Sequence, residues 1–243
     1  KKLKQNFKVH NIDGYIIPKN DEFFGEYVLE QNDRLKFISN FSGSYGFCLI
    51  LKKKNYLFVD GRYTLQAKKQ CGKFFNIITI PSKMPNKIFK NQKYKIGFDP
   101  KLFTQKTLKL FFKGIDFNLT PISFNLVDKV WKRKIIKNKN KFYSLPNTSI
   151  GNDYKYKISQ ITSYLKKIKV DYQFVTSSEN NAWLLNIRGY DSKYTPIPHC
   201  YILIDKNKNV KFFCDLKKIS LSLRKRLNKI NFIQISKLEK IIF

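Results

Sequence analysis

The stretch YLFVDGRYTLQAKKQ (Tyr56 to Gln70) sets an acid, a glycine, an arginine and a phenol in succession, Asp60-Gly61-Arg62-Tyr63, where an apolar run turns into a helical pattern. Two chemistries fit those residue types. Asp60 can cap the helix start, its carboxylate accepting free backbone N–H groups, with Gly61 permitting the tight exit. Arg62 can instead hold a carboxylate through its planar fork, a contact lysine cannot reproduce. Composition sharpens the second reading, because the 48 basic residues divide into 42 Lys and only 6 Arg. Arg34, Arg62 and Arg188 therefore stand out, and each is expected to meet a carboxylate; for Arg188, in NIRGYD, the expected partner is an acid at an interface with a domain outside this chain. Asp60, Arg62, Tyr63, Trp183 and Arg188 form the set of gate or interface candidates.

Other reactive types offer less. His10 and His199, the only two histidines, lack HxxxH or HxxE spacing, so no metal site is predicted within the chain. Cys48, Cys71, Cys200 and Cys214 show no CxxC or CxxH pattern and read as buried, reduced thiols. FSGSYG (Phe41 to Gly46) departs from the phosphate-binding GxxxxGK[ST] pattern and leads into a strand. Ser42 and Ser44 lack a G-x-S-x-G elbow and a suitably placed histidine. No catalytic residue is assigned in this chain, and the small residues of that loop are expected to let backbones approach. Trp183, with Leu184 and Leu185, reads as core, and Trp131 as cover for an interdomain surface.

The elements that must position these residues follow from periodicity. Residues 1 to 9 look helical, and DGYIIP is a short buried strand stopped by proline. GFCLIL and YLFVD are strands joined by KKKN as a hairpin. TLQAKKQ begins a helix ending at Cys71-Gly72, FNIITIP and KIGFDP are further strands, TQKTLKLFFKG is a helix, and IDFNLTPI closes the first unit with a strand. NLVDKVWKRK (Asn125 to Lys134) reads as a short amphipathic helix followed by a polar exit. The expected division is domain I over 1–124, a linker over 125–153 and domain II over 154–243. In the second unit Ile158, Ile161, Leu165 and Ile168 mark one helical face, and a hairpin ending at Asp215 parallels the one ending at Asp60. Alternating strands and helices in both halves predict a duplicated α/β unit, each with a mixed β-sheet flanked by helices. The second copy reaches only about two-thirds of the first one's plan, which points to a truncated domain II.

Composition bounds the partners. With 42% hydrophobic and 16% aromatic residues the chain can bury two cores. The longest apolar run, GFCLIL, is far short of the about 20 residues of a bilayer span, so no membrane association is predicted. The start lacks an apolar signal region and a small-residue cleavage site, which points to the cytoplasm. A net charge of +31 favours polyanions in principle. The charge is mostly lysine, is scattered along the length and accompanies 22 Asn, so nucleic acid is not the expected partner.

Five segments, DGYIIP, LKFISNFSGSYG, LFVDGRYTLQAKKQ, NLVDKVWKRK and NNAWLLNIRG, resemble in order and interval the N-terminal region of Xaa-Pro aminopeptidases, the aminopeptidase P kind related to creatinase and prolidase. The resemblance implies two creatinase/prolidase N-terminal-like domains and, outside this chain, a C-terminal catalytic domain of pita-bread fold. In that domain two Asp, one His and two Glu would hold two divalent ions, Mn²⁺ or Zn²⁺, which activate water to cut the bond before proline. It implies proline-containing peptides as substrates, a homo-oligomer, expected to be a dimer, and a gating and assembly role for the N-terminal part. Two alternatives stay open: a catalytically silent module binding a protein or nucleic acid, or a creatinase- or prolidase-type hydrolase.

Overall fold

The computed structural model describes residues 1–136 and 138–242. The chain divides into two compact units, residues 1–22 with 30–135, and residues 23–29 with 136–243.

The first unit is built on a six-stranded sheet. Its strands are β1 (Gly14–Pro18), β2 (Gly46–Leu51), β3 (Asn55–Asp60), β4 (Asn76–Ile80), β5 (Lys95–Phe98) and β6 (Asn118–Pro121), in the order β4-β3-β2-β1-β5-β6. β1, β2 and β3 form an antiparallel meander, whereas β4, β5 and β6 join in parallel. GFCLIL is apolar throughout because both faces of β2 are covered. Phe47, Leu49 and Leu51 pack with Phe58, Phe111 and Phe112 on one side. Cys48 and Ile50 pack on the other with Leu57, Val59, Ala67 and Leu126. The helices follow this division. α1 (Lys2–Val9), α2 (Arg34–Ser39) and α3 (Thr64–Cys71) supply Leu3, Phe7, Leu35 and Ala67 to the second side, and α4 (Gln105–Phe111) supplies Leu108 and Phe111 to the first.

The helix of NLVDKVWKRK is α5 (Leu126–Val130), capped by Asn125, whose side-chain oxygen accepts from Val127 N. It stops four residues earlier than the apolar pattern suggests, because Trp131 leaves helical geometry at φ −100, ψ 101. Leu126 and Val127 are fully buried in the first unit's core, so this helix, placed in a linker on sequence grounds, packs as part of that unit. Trp131 stacks on Phe37 within the same unit, with ring centroids 4.6 Å apart.

An ion cluster holds α5 in place. Arg34, at the start of α2, is 2% exposed and directs Nε and Nη2 at the two oxygens of Asp128 on α5, at 2.9 and 2.8 Å. Nη2 also donates to Glu22 Oε1 at 2.6 Å, and Arg133 donates to Asp128 Oδ2 at 3.0 Å. Burial alone would weaken Arg34's hold on its proton, but the Asp128 hydrogen bonds and the Glu22 charge outweigh it and raise its pKa. The fork expected of an arginine in a lysine-rich chain is thus realised at Arg34.

The second unit repeats part of this plan. α6 (Tyr154–Lys167), α7 (Ser178–Leu185) and α8 (Leu221–Arg226) flank a sheet of β8 (Tyr172–Val175), β10 (Tyr201–Asp205), β11 (Val210–Cys214) and β12 (Ile230–Gln234). Two short strands, β7 (Tyr143–Ser144) and β9 (Ile187–Arg188), pair separately. The order β12-β11-β10-β8 matches β4-β3-β2-β1, with the same antiparallel, antiparallel, parallel succession of joins. Ile202, Ile204 and Phe212 face α6 and α7 through Ile158, Leu184 and Leu185. On the other face Phe23 stacks on His199, centroids 4.1 Å apart, and on Tyr201. All four cysteines are buried and free, and burial pushes the Cys214 thiol up to about 12.

Replacing Arg34 by Leu takes from Asp128 and Glu22 the buried cation they share, leaving Arg133 on Asp128, and should cost about 3–5 kcal/mol in urea unfolding, with hydrogen exchange accelerated first in α2 and α5. Arg34→Lys, which keeps the charge but loses the fork, should fall between. A loss under about 1 kcal/mol in Arg34→Leu contradicts the anchoring role.

Candidate functional site

The corner after β3 is built by local hydrogen bonds. Asp60 Oδ1 accepts from Arg62 N at 2.9 Å and so caps a single tight turn, Gly61–Tyr63, that runs into α3. Thr64 Oγ1 and Thr79 Oγ1, 2.9 Å apart, tie the helix start to β4. The cap expected of Asp60 is present. Glycine is not sterically required at position 61, where a Cβ would make an ordinary 3.7 Å contact with Thr79.

Arg62 finds its carboxylate two residues away: Nε donates to Asp60 Oδ1 at 2.8 Å. Its side chain remains 71% exposed, and its guanidinium lies 5.4 Å from the Tyr63 ring centroid. Among the described residues no acceptor meets its terminal amino groups. The hydrogen bond to Arg62 lowers the Asp60 pKa, and the same bond raises that of Arg62.

FSGSYG packs against this corner. Tyr63 Oη and Ser44 Oγ are 2.6 Å apart, and the Tyr63 ring meets Phe41 edge-on. Ser42 Oγ accepts from Gln66 Nε2 and Gln70 Nε2, both at 2.8 Å, while its backbone N donates to Gln70 Oε1. The two serines latch the loop to α3. The small residues do permit close approach: a Cβ on Gly43 would fall 2.2 Å from the Phe41 ring, and one on Gly46 would fall 2.6 Å from Phe58 O.

In the second unit Trp183 is 60% exposed, not core. The inner face of α7 is Ser178, Asn181, Ala182 and Leu185, at helical spacing, which turns position 183 outward while Leu184 and Leu185 stay buried. Lys157 Nζ lies 4.1 Å from the Trp183 ring centroid. Arg188 Nη1 donates to the carbonyls of Ala182 and Ile187, at 3.3 and 2.9 Å, and among the described residues it meets no carboxylate.

Among the described residues no group of three or more His, Cys, Asp and Glu side chains converges on one point. Glu22 and Asp128 are already committed to Arg34, and His199 stacks on Phe23. What these residues can do is bind: Arg62 presents an open guanidinium edge, flanked by a phenol, at a hydrogen-bonded corner.

Sequence comparison bears on what such a corner belongs to. Two family models, each described as a creatinase/prolidase N-terminal domain, match the chain, one over residues 1–129 and the other over residues 133–243. The chain belongs to the creatinase/prolidase N-terminal family. Within it, the chain is similar to Xaa-Pro aminopeptidase 1 of Dictyostelium discoideum, 30% identical over 93% of this chain and 39% of that protein. It is also similar to Xaa-Pro aminopeptidase 2 of Mus musculus, 29% identical over 93% of this chain and 35% of that protein. The chain thus spans well under half the length of these relatives. The crystal structure of the X-prolyl aminopeptidase of Caenorhabditis elegans, described as a cytosolic enzyme with a di-nuclear active site, superposes with a TM-score of 0.89 at 25% identity, covering 99% of this chain and 42% of that one. Both units of this chain are therefore creatinase N-terminal-like domains. No helix among the described residues is long and apolar enough to cross a membrane.

The Arg62 pair sets a pH-dependent signature. Because Asp60's folded pKa is depressed, its contribution to stability is present above the ordinary carboxylate value and is lost as pH falls through the folded value. The Asp60 carboxyl should titrate below that ordinary value by ¹³C NMR and rise part of the way back in Arg62→Gln, which removes the side-chain bond and keeps the one from the backbone N–H. An unmoved titration in that variant would show the pair to be unformed in solution.

Proposed function

We propose that this chain is the non-catalytic N-terminal part of a metal-dependent Xaa-Pro aminopeptidase, which removes the first residue of peptides carrying proline second. The observation that carries this reading is coverage: the relatives and the C. elegans structure account for nearly all of this chain while more than half of each lies outside it. The two metal ions, Mn²⁺ or Zn²⁺, would be held by residues of a catalytic domain outside this sequence, as the di-nuclear site of the C. elegans enzyme suggests. This chain's own residues would admit and exclude. The corner of Asp60, Arg62 and Tyr63 is a rigid, hydrogen-bonded feature with an unused guanidinium edge, suited to steer short peptides by charge. Trp183 and Arg188 would contribute to an interface, Arg188 meeting an acid of the domain outside this chain, and the enzyme would work in the cytoplasm as a homo-oligomer, a dimer.

The test compares residues 1–243 with the product of the complete reading frame on Ala-Pro-Ala, with Mn²⁺ or Zn²⁺ supplied. The longer protein should cleave the Ala-Pro bond in a metal-dependent way, and residues 1–243 should not; turnover by residues 1–243 would overturn the division of labour. In the longer protein Arg62→Ala should raise KM by about tenfold with kcat little changed, the mark of lost uniform binding. An unchanged KM for every peptide length would remove Arg62 from the gate.

A further inference from the structure

Two cations, Lys157 and Arg188, meet at the C-terminal end of α7. Lys157, buried on the inner face of α6, donates at 2.6 Å to both the Trp183 carbonyl and Asn186 Oδ1. Arg188 reaches the carbonyls of Ala182 and Ile187 at the same helix end. Two cations at a helix C-terminus suit the macrodipole. Burial first, and then the charge of Arg188, lower the Lys157 pKa, with Asp153 opposing them in part. Arg188 uses one of its nitrogens on backbone and leaves the rest of its fork unpaired among the described residues.

The surface around that fork is aromatic. Tyr143 pairs with Arg188 in the β7–β9 register, and Tyr190, two residues beyond Arg188, shares its side of the chain. The rings of Tyr143 and Tyr190 are 5.4 Å apart at 33°, and the two residues are 37% and 54% exposed. Trp183, itself exposed, follows Ala182, whose carbonyl Arg188 holds. An arginine with exposed tyrosines beside it has the make-up of an interface centre, not of ordinary surface.

We propose that this corner of the second unit docks a protein segment bearing an Asp or Glu side chain, with Arg188 taking the carboxylate and Trp183, Tyr143 and Tyr190 packing around it. This deepens the interface part of the reading above, and its test measures binding without hydrolysis, so either can fail alone. Charge complementarity selects the occupant. A second copy of a chain with net charge +31, meeting this patch through its own, would oppose Arg188 and Lys157 to themselves. A single-stranded nucleic acid would need a basic track and free ring faces. Here Lys157 is buried against the Trp183 indole and the two tyrosine rings partly cover each other.

The probe is acetyl-Leu-Glu-Leu-amide, with its glutamine twin as control, titrated into the labelled chain by NMR. Saturable shifts are expected at Arg188 Nε–H, the Trp183 indole N–H and Tyr190, with the twin binding about tenfold more weakly for want of the charge-assisted bond. Arg188→Gln should abolish the response. Tyr190→Ser, at an exposed ring, should weaken it while leaving the rest of the spectrum in place, and so serves if Arg188→Gln disturbs the helix end. Equal response to both peptides, or no saturation by about 10 mM, overturns the proposal. So does oligouridylate displacing the peptide from these residues, or self-association through Trp183.

Discussion

The burial of Arg34 between Asp128 and Glu22 ties together three stretches of the first unit that are far apart in sequence. A guanidinium withdrawn from water is stable only if its fork is filled, and the bidentate Asp128 contact at 2.8 and 2.9 Å fills most of it. The requirement runs in both directions. α5 must lie where Asp128 can reach Arg34, which presses Leu126 and Val127 onto the sheet, and α2 must start where Asp33 caps it and Arg34 points inward. Trp131 then falls on Phe37, closing the same side of the unit. Next to this cluster Asp99 has its pKa raised, burial being the main cause, and it is held by Asn125 and Lys101 N.

A double-faced sheet explains why the first unit presents its candidate corner so rigidly. Residues of β2 and β3 are buried alternately in two cores, so the strand end at Asp60 has little freedom, and the turn that follows is capped, latched to FSGSYG and tied to β4. The corner thus combines a fixed backbone with an exposed cation, Arg62, held by Asp60 through one nitrogen. The second unit repeats the four-strand core of that plan with different loops, and there its exposed aromatic residues gather around Arg188.

Much of this was readable from residue order alone. GFCLIL, YLFVD and TLQAKKQ announce a hairpin and a helix, since a run apolar at every position needs two covered faces and Gly72 marks the helix end. Arginine retained in a lysine-rich chain pointed to forked contacts, realised fully at Arg34 and locally at Arg62. Arg188 escaped that logic because backbone carbonyls, invisible in sequence, occupy part of its fork. Trp183 was misread for a different reason: aromatic type suggests core, but the phase of α7 places 178, 181, 182 and 185 inside and 183 outside. The same phasing would have found Lys157, which shares its helical face with Tyr154, Ile158 and Leu165 despite its charge.

Each unit carries one tryptophan, and the two sit in contrasting surroundings. Trp131 is half-buried, stacked flat on Phe37 with the Arg133 guanidinium 5.3 Å from its centroid, while the Trp183 indole is mostly exposed and has the Lys157 ammonium 4.1 Å away. With one indole in each unit, tryptophan fluorescence carries one local reporter for each of them.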